Sequence, residues 1–282
     1  MKHLKKHIRF VVAAAFAVCV LFTSTSSRAD LNYKPIQTTP FDLTLTAVGV
    51  VDKILKPDAI RLQNGKVYKI DNIRVPPPFN DAAVQFLEET ILNKKVGFYI
   101  VGEDPMARSD RFGHTLAHIV TEDGSWVQAQ MVSRGLAWAV GSPKSRDLVL
   151  PLFKYEDLAR SEALGLWADP NLAIRDNDTI DLQTYNSFQI YQGKVTTYKV
   201  IDSFLFLNFG SNPQTDFTMT FNDRAFKSFR LVTKGQQFLL THLVGKTIRV
   251  RGWVEENGGP MMTIEYPEQL EFPDIPDAVI MF

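Results

Sequence analysis

The chain of 282 residues holds one cysteine, Cys19, and no uninterrupted apolar run longer than the one from Phe10 to Phe22. A single cysteine excludes an internal disulfide framework. Beyond the N-terminal region only His114, His118 and His242 remain, and their spacing gives no zinc-ligand pattern. The apolar run is 13 residues long, too short to cross a bilayer as a helix. An excess of either charge is missing too, with 31 Lys and Arg against 31 Asp and Glu. Nucleic-acid-binding domains usually carry a basic excess, because phosphate neutralisation supplies much of their affinity. Tight non-specific DNA binding is therefore not expected from overall charge, and any such footprint must be local.

The N-terminus has the pattern of a secretory signal over residues 1–29. Lys2, Lys5, Lys6 and Arg9 precede the apolar run, and Ser27-Arg28-Ala29 places small residues where a signal peptidase reads. Val18 precedes Cys19 where lipoprotein processing needs a small residue, so Cys19 is not read as a lipid anchor. The mature protein is expected to start near Asp30 and to be periplasmic or secreted, with no membrane attachment after cleavage. N-terminal sequencing of envelope protein that returned Met1 would contradict this. Cleavage removes five of the 31 cationic residues and none of the acidic ones, leaving 26 against 31 and a net charge of −5.

The remaining length suits two domains. Residues 30–44, rich in Thr and Pro, are expected to form an extended leader. From residue 45 the alternation predicts strands, and Asn64-Gly65 is a two-residue hairpin signal between two of them. Ala83, Phe86, Leu87 and Ile91 recur at helical spacing across 82–92. Strands are expected at 96–101 and 115–120, a short helix at 126–134 closed by Gly135, and a longer helix at 150–164 closed by Gly165. Residues 168–187 are Asp- and Asn-rich and read as a linker. A second β-rich unit follows at 188–273, with strands near 194–200, 204–209, 216–221, 246–255 and 261–266 and a helical turn at 239–243; residues 274–282 form a tail. Three strands, a helix and two strands is the order of an OB barrel. The expected fold is mainly β with helices (α+β): two OB-fold-like five-stranded barrels.

Four landmarks recur in order in the first unit: Ala47–Leu62, Tyr68–Pro77 with Asp71-Asn72-Ile73-Arg74, Ser109–Ala117 with Asp110-Arg111-Phe112-Gly113-His114, and Gly135-Leu136-Ala137 leading to Glu156, Arg160 and Gly165-Leu166-Trp167. Together they resemble the staphylococcal nuclease-like (thermonuclease) domain, over residues 45–167. That resemblance implies a first barrel of the staphylococcal nuclease type and, in active members, a Ca²⁺ ion held by two Asp side chains and a carbonyl. It also implies a Glu that orients the attacking water and two Arg that clamp the phosphate. Carried onto this chain, Asp58 takes the place of the first calcium Asp. Lys69 replaces one clamp Arg and keeps the charge without the fork. Arg74 replaces the second calcium Asp, Pro77 the catalytic Glu, and His114 the other Arg. The two Tyr placed over the nucleotide would fall near Gly141 and Pro143 and are absent.

The resemblance thus implies a nuclease-like domain with its metal and base positions altered, with Arg74 as a counter-ion to Asp58. The chain leans away from being an enzyme; no cofactor is expected, and Ca²⁺ only with residual metal-dependent nuclease activity. In the second unit, Phe204, Phe206 and Phe209 with Lys199, Arg249 and Arg251 suggest a stacking-and-charge face for single-stranded nucleic acid, the alternative being barrel core. Arg249–Val254 with Asn257–Met261 also resembles, more weakly, the OB-type tail of bacterial nucleic-acid-binding proteins. Three functions fit: a catalytically weak or inactive nucleic-acid- or ligand-binding module; an active phosphodiesterase with a rearranged site of Asp58, Asp71 and His114; or a periplasmic adaptor for envelope protein or glycan.

Overall fold

The computed structural model describes residue 43 and residues 45–100, 109–110, 112–141, 146–176, 184–275 and 277–281. The signal expected at 1–29 and nearly all of the leader lie outside the described residues. The described residues belong to one compact unit. No helix among the described residues is long and apolar enough to cross a membrane.

The first half runs β1 (Leu45–Lys56), β2 (Ala59–Leu62), β3 (Val67–Ile70), β4 (Ile73–Arg74), α1 (Asn80–Ile91), β5 (Lys95–Tyr99), β6 (Thr115–Thr121), α2 (Val127–Ser133), β7 (Trp138–Ala139) and α3 (Arg146–Ser161). β1 is long enough to serve two neighbours: residues 45–50 pair with β5 and residues 51–56 with β2. With β3 lying parallel to β6, the order β1-β2-β3-β6-β5 closes into a barrel. The turn between β2 and β3 follows from Asn64-Gly65. Gly65 has φ +84°, and the Asn64 side chain accepts from the Lys66 N–H. Inside, Ile60, Tyr68, Phe98 and Ile119 are fully or almost fully buried, and Tyr68 stacks on Phe98 with ring centroids 4.0 Å apart. The stripe Ala83, Phe86, Leu87 and Ile91 is the buried face of α1.

The connection continues with β8 (Arg175–Asp176), and the second half runs β9 (Phe188–Lys194), β10 (Thr197–Ile201), β11 (Phe204–Asn208), β12 (Thr218–Phe221), α4 (Asp223–Ser228), β13 (Arg230–Thr233), β14 (Gln236–Phe238), β15 (Thr247–Trp253), β16 (Glu255–Glu256), β17 (Pro260–Ile264), β18 (Leu270–Glu271) and β19 (Val279–Met281). The five-stranded barrel expected here is instead found as separate sheets, β10-β11-β12-β17-β16, β18-β15-β9-β8 and β14-β13-β19. One reason is local: the strand expected across 194–200 breaks at Val195-Thr196. The Val195 N–H bonds to Lys246 O while Thr196 turns to Asn208 O, so β9 and β10 join different sheets. The sheets share a core of Leu205, Leu207, Phe217, Met219, Phe221, Ile248 and Val250.

Parts of the two segments read in sequence as linker and tail are packed. Leu172, Ala173 and Ile174, within the expected linker, lie against Trp138, Leu166 and Trp167. The Trp138 indole donates to Leu172 O at 3.2 Å, and Arg175–Asp176 extends the sheet beside β9. In the expected tail, Ile280 is buried between the exposed Val279 and Met281, an alternation that makes Val279–Met281 an edge strand on β13.

The two halves also meet through charge. On β15, Ile248 and Val250 face the second core, so Arg249 and Arg251 point the other way, where Glu156 of α3 meets Arg251. Arg251, 1 % exposed, grips Glu156 with two nitrogens (Nη1–Oε2 3.1 Å, Nη2–Oε1 2.8 Å) and donates to Ala139 O at 2.7 Å. Arg251 also pairs with Glu271, which holds Arg249 at 2.6 Å and Arg160 at 3.4 Å. Burial raises the Glu271 carboxyl, but the guanidiniums of Arg251, Arg160 and Arg249 outweigh it and hold the group down to about 2. A carboxylate depressed in the fold stabilises it above the unfolded value and loses that contribution as pH falls towards the folded one. Stability should therefore fall by on the order of 3 kcal/mol between about pH 5 and pH 2 through Glu271 alone. Glu271→Gln should flatten that limb of a Tm-versus-pH curve; an unchanged limb would refute the assignment.

Candidate functional site

A cavity of about 440 Å³ opens beside the barrel, between the β1–β2 turn and the segment from β3 into the 3₁₀ turn Pro77–Phe79. Asp58, Lys69, Arg74 and Pro77 all line it, together with Lys56, Asp71, Asn72, Asn80, Val140 and Gly141. Four of the five positions picked out in the first unit are thus brought together. His114 is not among the lining residues. Its Nδ1 pairs with Asp110 Oδ2 at 3.1 Å, and the Phe112 and His114 N–H groups bond Asp110 Oδ1 at 2.8 and 3.0 Å, closing the turn that feeds β6. Burial raises the Asp110 carboxyl, yet the His114 and Phe112 amides and the His114 ring hold it below the ordinary carboxylate value.

The expected pairing of Arg74 with Asp58 is replaced by another. Asp58 forms its ion pair with Lys69 at 3.2 Å, since the register sets Ala59 opposite Lys69 across the β2–β3 hairpin. Arg74 lies opposite Trp138 in the β4–β7 pair and reaches the second half. Its guanidinium is 4.7 Å from the Trp253 ring centroid and 5.4 Å from that of Phe188. Burial lowers the Arg74 guanidinium's affinity for its proton, and the Asp58 charge works in the opposite direction.

Calcium takes six to eight oxygen ligands. The cavity offers two carboxylates, of which Asp58 is already ion-paired, while Asp71 Oδ1 accepts the Asn72 N–H at 2.9 Å. A divalent ion here would also meet Lys69 and Arg74, each costing several kcal/mol within a few ångströms at an effective dielectric near 20. These residues do not fit calcium, and no group of three or more His, Cys, Asp or Glu suited to a metal occurs among the described residues. Asp58 and Asp71 line the cavity, whereas His114 is engaged by Asp110 in the turn before β6.

Below the cavity floor His118 is fully buried. The Asn72 amide donates to Val140 O at 2.9 Å, which turns Asn72 Oδ1 towards His118 Nε2 at 3.0 Å. The Trp126 indole can only donate, so His118 Nδ1 accepts from it at 3.2 Å and Nε2–H donates to Asn72. The neutral ring thereby pins the backbone at Asn72, whose φ is +59°.

In the second half the expected binding face divides. Phe209 is buried at 3 % exposure, and Arg249 and Arg251 belong to the ion network with Glu156 and Glu271, so these three are not ligand-facing. Lys199, Phe204 and Phe206 are on the outside. Lys199 lies opposite Phe206 across β10–β11, and both line a hollow of about 200 Å³ with Asn208 and Met261. Trp253, Phe188 and Tyr266 were not picked out from sequence. Their link to the cavity is long-range: Trp253 and Phe188 are direct partners across β15–β9, and Tyr266 lies against Gly141. The Tyr266 hydroxyl is pushed up to about 12 by burial, assisted by Glu265.

Residues 60–169 match the family model of the staphylococcal nuclease homologue. The chain is also 30 % identical over 102 residues to an "uncharacterized 38.1 kDa protein" of Capnoides sempervirens, a match covering 36 % of this chain and 27 % of that one. The chain spans well under two thirds of that relative's length. Over residues 60–169, then, the chain carries a staphylococcal nuclease homologue domain.

Proposed function

We propose that this is an exported protein whose nuclease-like domain binds nucleic acid without calcium-dependent cleavage of it. One observation carries the reading: the cavity keeps cations for phosphate and gives up the groups that cut. Lys56, Lys69 and Arg74 line it against Asp58 and Asp71, and Asp58 is already engaged by Lys69. Pro77 stands where the resemblance puts the water-orienting Glu and has no group to move a proton. The local cationic surplus offsets the expected net charge of the mature chain and gives an anionic ligand a defined place to sit. In the second half β12 lies parallel to β17, as β3 lies parallel to β6 in the first. Lys199, Phe204 and Phe206 supply a further open face there.

Affinity for a fluorescent single-stranded oligonucleotide should fall with salt at a log–log slope of about −2, as expected for two or three phosphate contacts. Replacing Ca²⁺ by chelator should leave it unchanged. Lys56→Ala should reduce the slope by about 0.7. A slope near zero, or binding that requires Ca²⁺, would count against the proposal. Wild-type protein should take up no calcium in isothermal titration, whereas Arg74→Asp with Pro77→Glu should show weak uptake. Calcium binding by the wild type would reverse the reading of the cavity.

A further inference from the structure

The chain has four tryptophans; Trp126, Trp138 and Trp167 are buried, whereas Trp253 is 48 % exposed. Trp253 ends β15 directly opposite Phe188 on β9, and Arg74, from the nuclease-like domain, lies over both rings. The Arg74 Nε is buried without a hydrogen-bond partner, so its place is set by stacking and by the β4–β7 pairing. Arg74 also lines the cavity that holds Lys56 and Lys69. One guanidinium therefore joins a cation-lined cavity in one half to an indole braced by that cation in the other.

We propose that Trp253, braced by Arg74, is a stacking platform for an unpaired base of single-stranded nucleic acid whose phosphate lies in the cavity beside Lys69. The inference rests on the nucleic-acid reading above and adds an aromatic face to a cavity that no tyrosine lines among the described residues. Stacking needs a flat π-face held still and open to solvent. The Arg74 guanidinium supplies the bracing, and the half-exposed indole supplies the face. Duplex bases are already stacked on their neighbours, so the platform selects single strands.

The test uses the full mature chain with three probes: a 5′-phosphorylated oligothymidylate, an abasic oligomer of the same length and charge, and heparin. Because the other tryptophans are buried, acrylamide quenching of intrinsic fluorescence reports mainly on Trp253. The oligothymidylate should shield that fluorescence and bind about ten-fold more tightly than the abasic oligomer. Trp253→Leu should weaken the oligothymidylate about ten-fold, leave the abasic oligomer unaffected, and keep the Tm near that of wild type; Trp253→Phe should recover part of the loss. Equal binding of the two oligomers with Trp253 still quenchable would overturn the platform and leave the nucleic-acid reading standing. Shielding by heparin as complete as by oligothymidylate would overturn it in favour of a glycan site. No binding of any oligomer would remove both readings.

Discussion

Arg251→Ala is expected to destabilise the folded protein by about 3–5 kcal/mol, the range seen when one partner of a buried ion network is removed. For a domain this large the Tm should drop by roughly 10 °C. The reason is what remains behind. Glu156, fully buried, would lose both guanidinium bonds and keep only the Ala139 N–H at 2.8 Å and Arg160 at 3.7 Å. Ala139 O would lose its donor as well. Arg251→Lys should recover little, because one ammonium cannot reproduce the two-nitrogen grip on Glu156 while also reaching Glu271 and Ala139 O. Thermal unfolding followed by circular dichroism decides it; an Arg251→Ala protein melting within a degree or two of wild type would show that the network adds nothing.

Gly135→Ala should cost roughly 3 kcal/mol although it adds a single methyl group. Gly135 sits at φ +63°, where an L side chain is strained, and its added Cβ would lie 2.1 Å from Leu164 O. Gly165 faces it at φ +54°, with the Leu166 N–H bonded to Gly135 O at 2.9 Å. Backbone meets backbone here, so no flexible side chain can move aside. Gly65→Ala, at φ +84° with open space around the Cβ, is the control for strain without the clash and should cost about 1 kcal/mol. Equal losses at the two glycines would show that the Gly135–Gly165 approach is not close enough to matter.

These glycines show what a sequence makes legible. Gly135 and Gly165 are readable as helix stops because αL ends are a local property; that they touch each other is visible only in the fold. The apolar stripe of α1 and the Asn64-Gly65 turn are local in the same sense. Asp58, Lys69, Arg74 and Pro77 could be picked out because the family resemblance sets them at one site, and they line one cavity. The pairing within that cavity could not, since the choice between Lys69 and Arg74 for Asp58 depends on cross-strand register and on aromatic rings more than 100 positions away.

The second half was harder to read for a comparable reason. Alternation correctly placed Arg249 and Arg251 on one face of a strand, but it says nothing about what covers that face. Glu156 on α3 covers it, so two cations assigned to a ligand became an internal joint. Phe209 followed its strand into the core, whereas Phe204 stayed outside.

Binding without cleavage is decided by incubating the protein with single-stranded DNA, double-stranded DNA and RNA in parallel, with Ca²⁺, Mg²⁺ or chelator, and resolving the products on a denaturing gel. Intact substrate is expected in every lane, with the single strands retained by the protein in a native gel. Calcium-dependent cleavage that Asp58→Ala abolishes would contradict it.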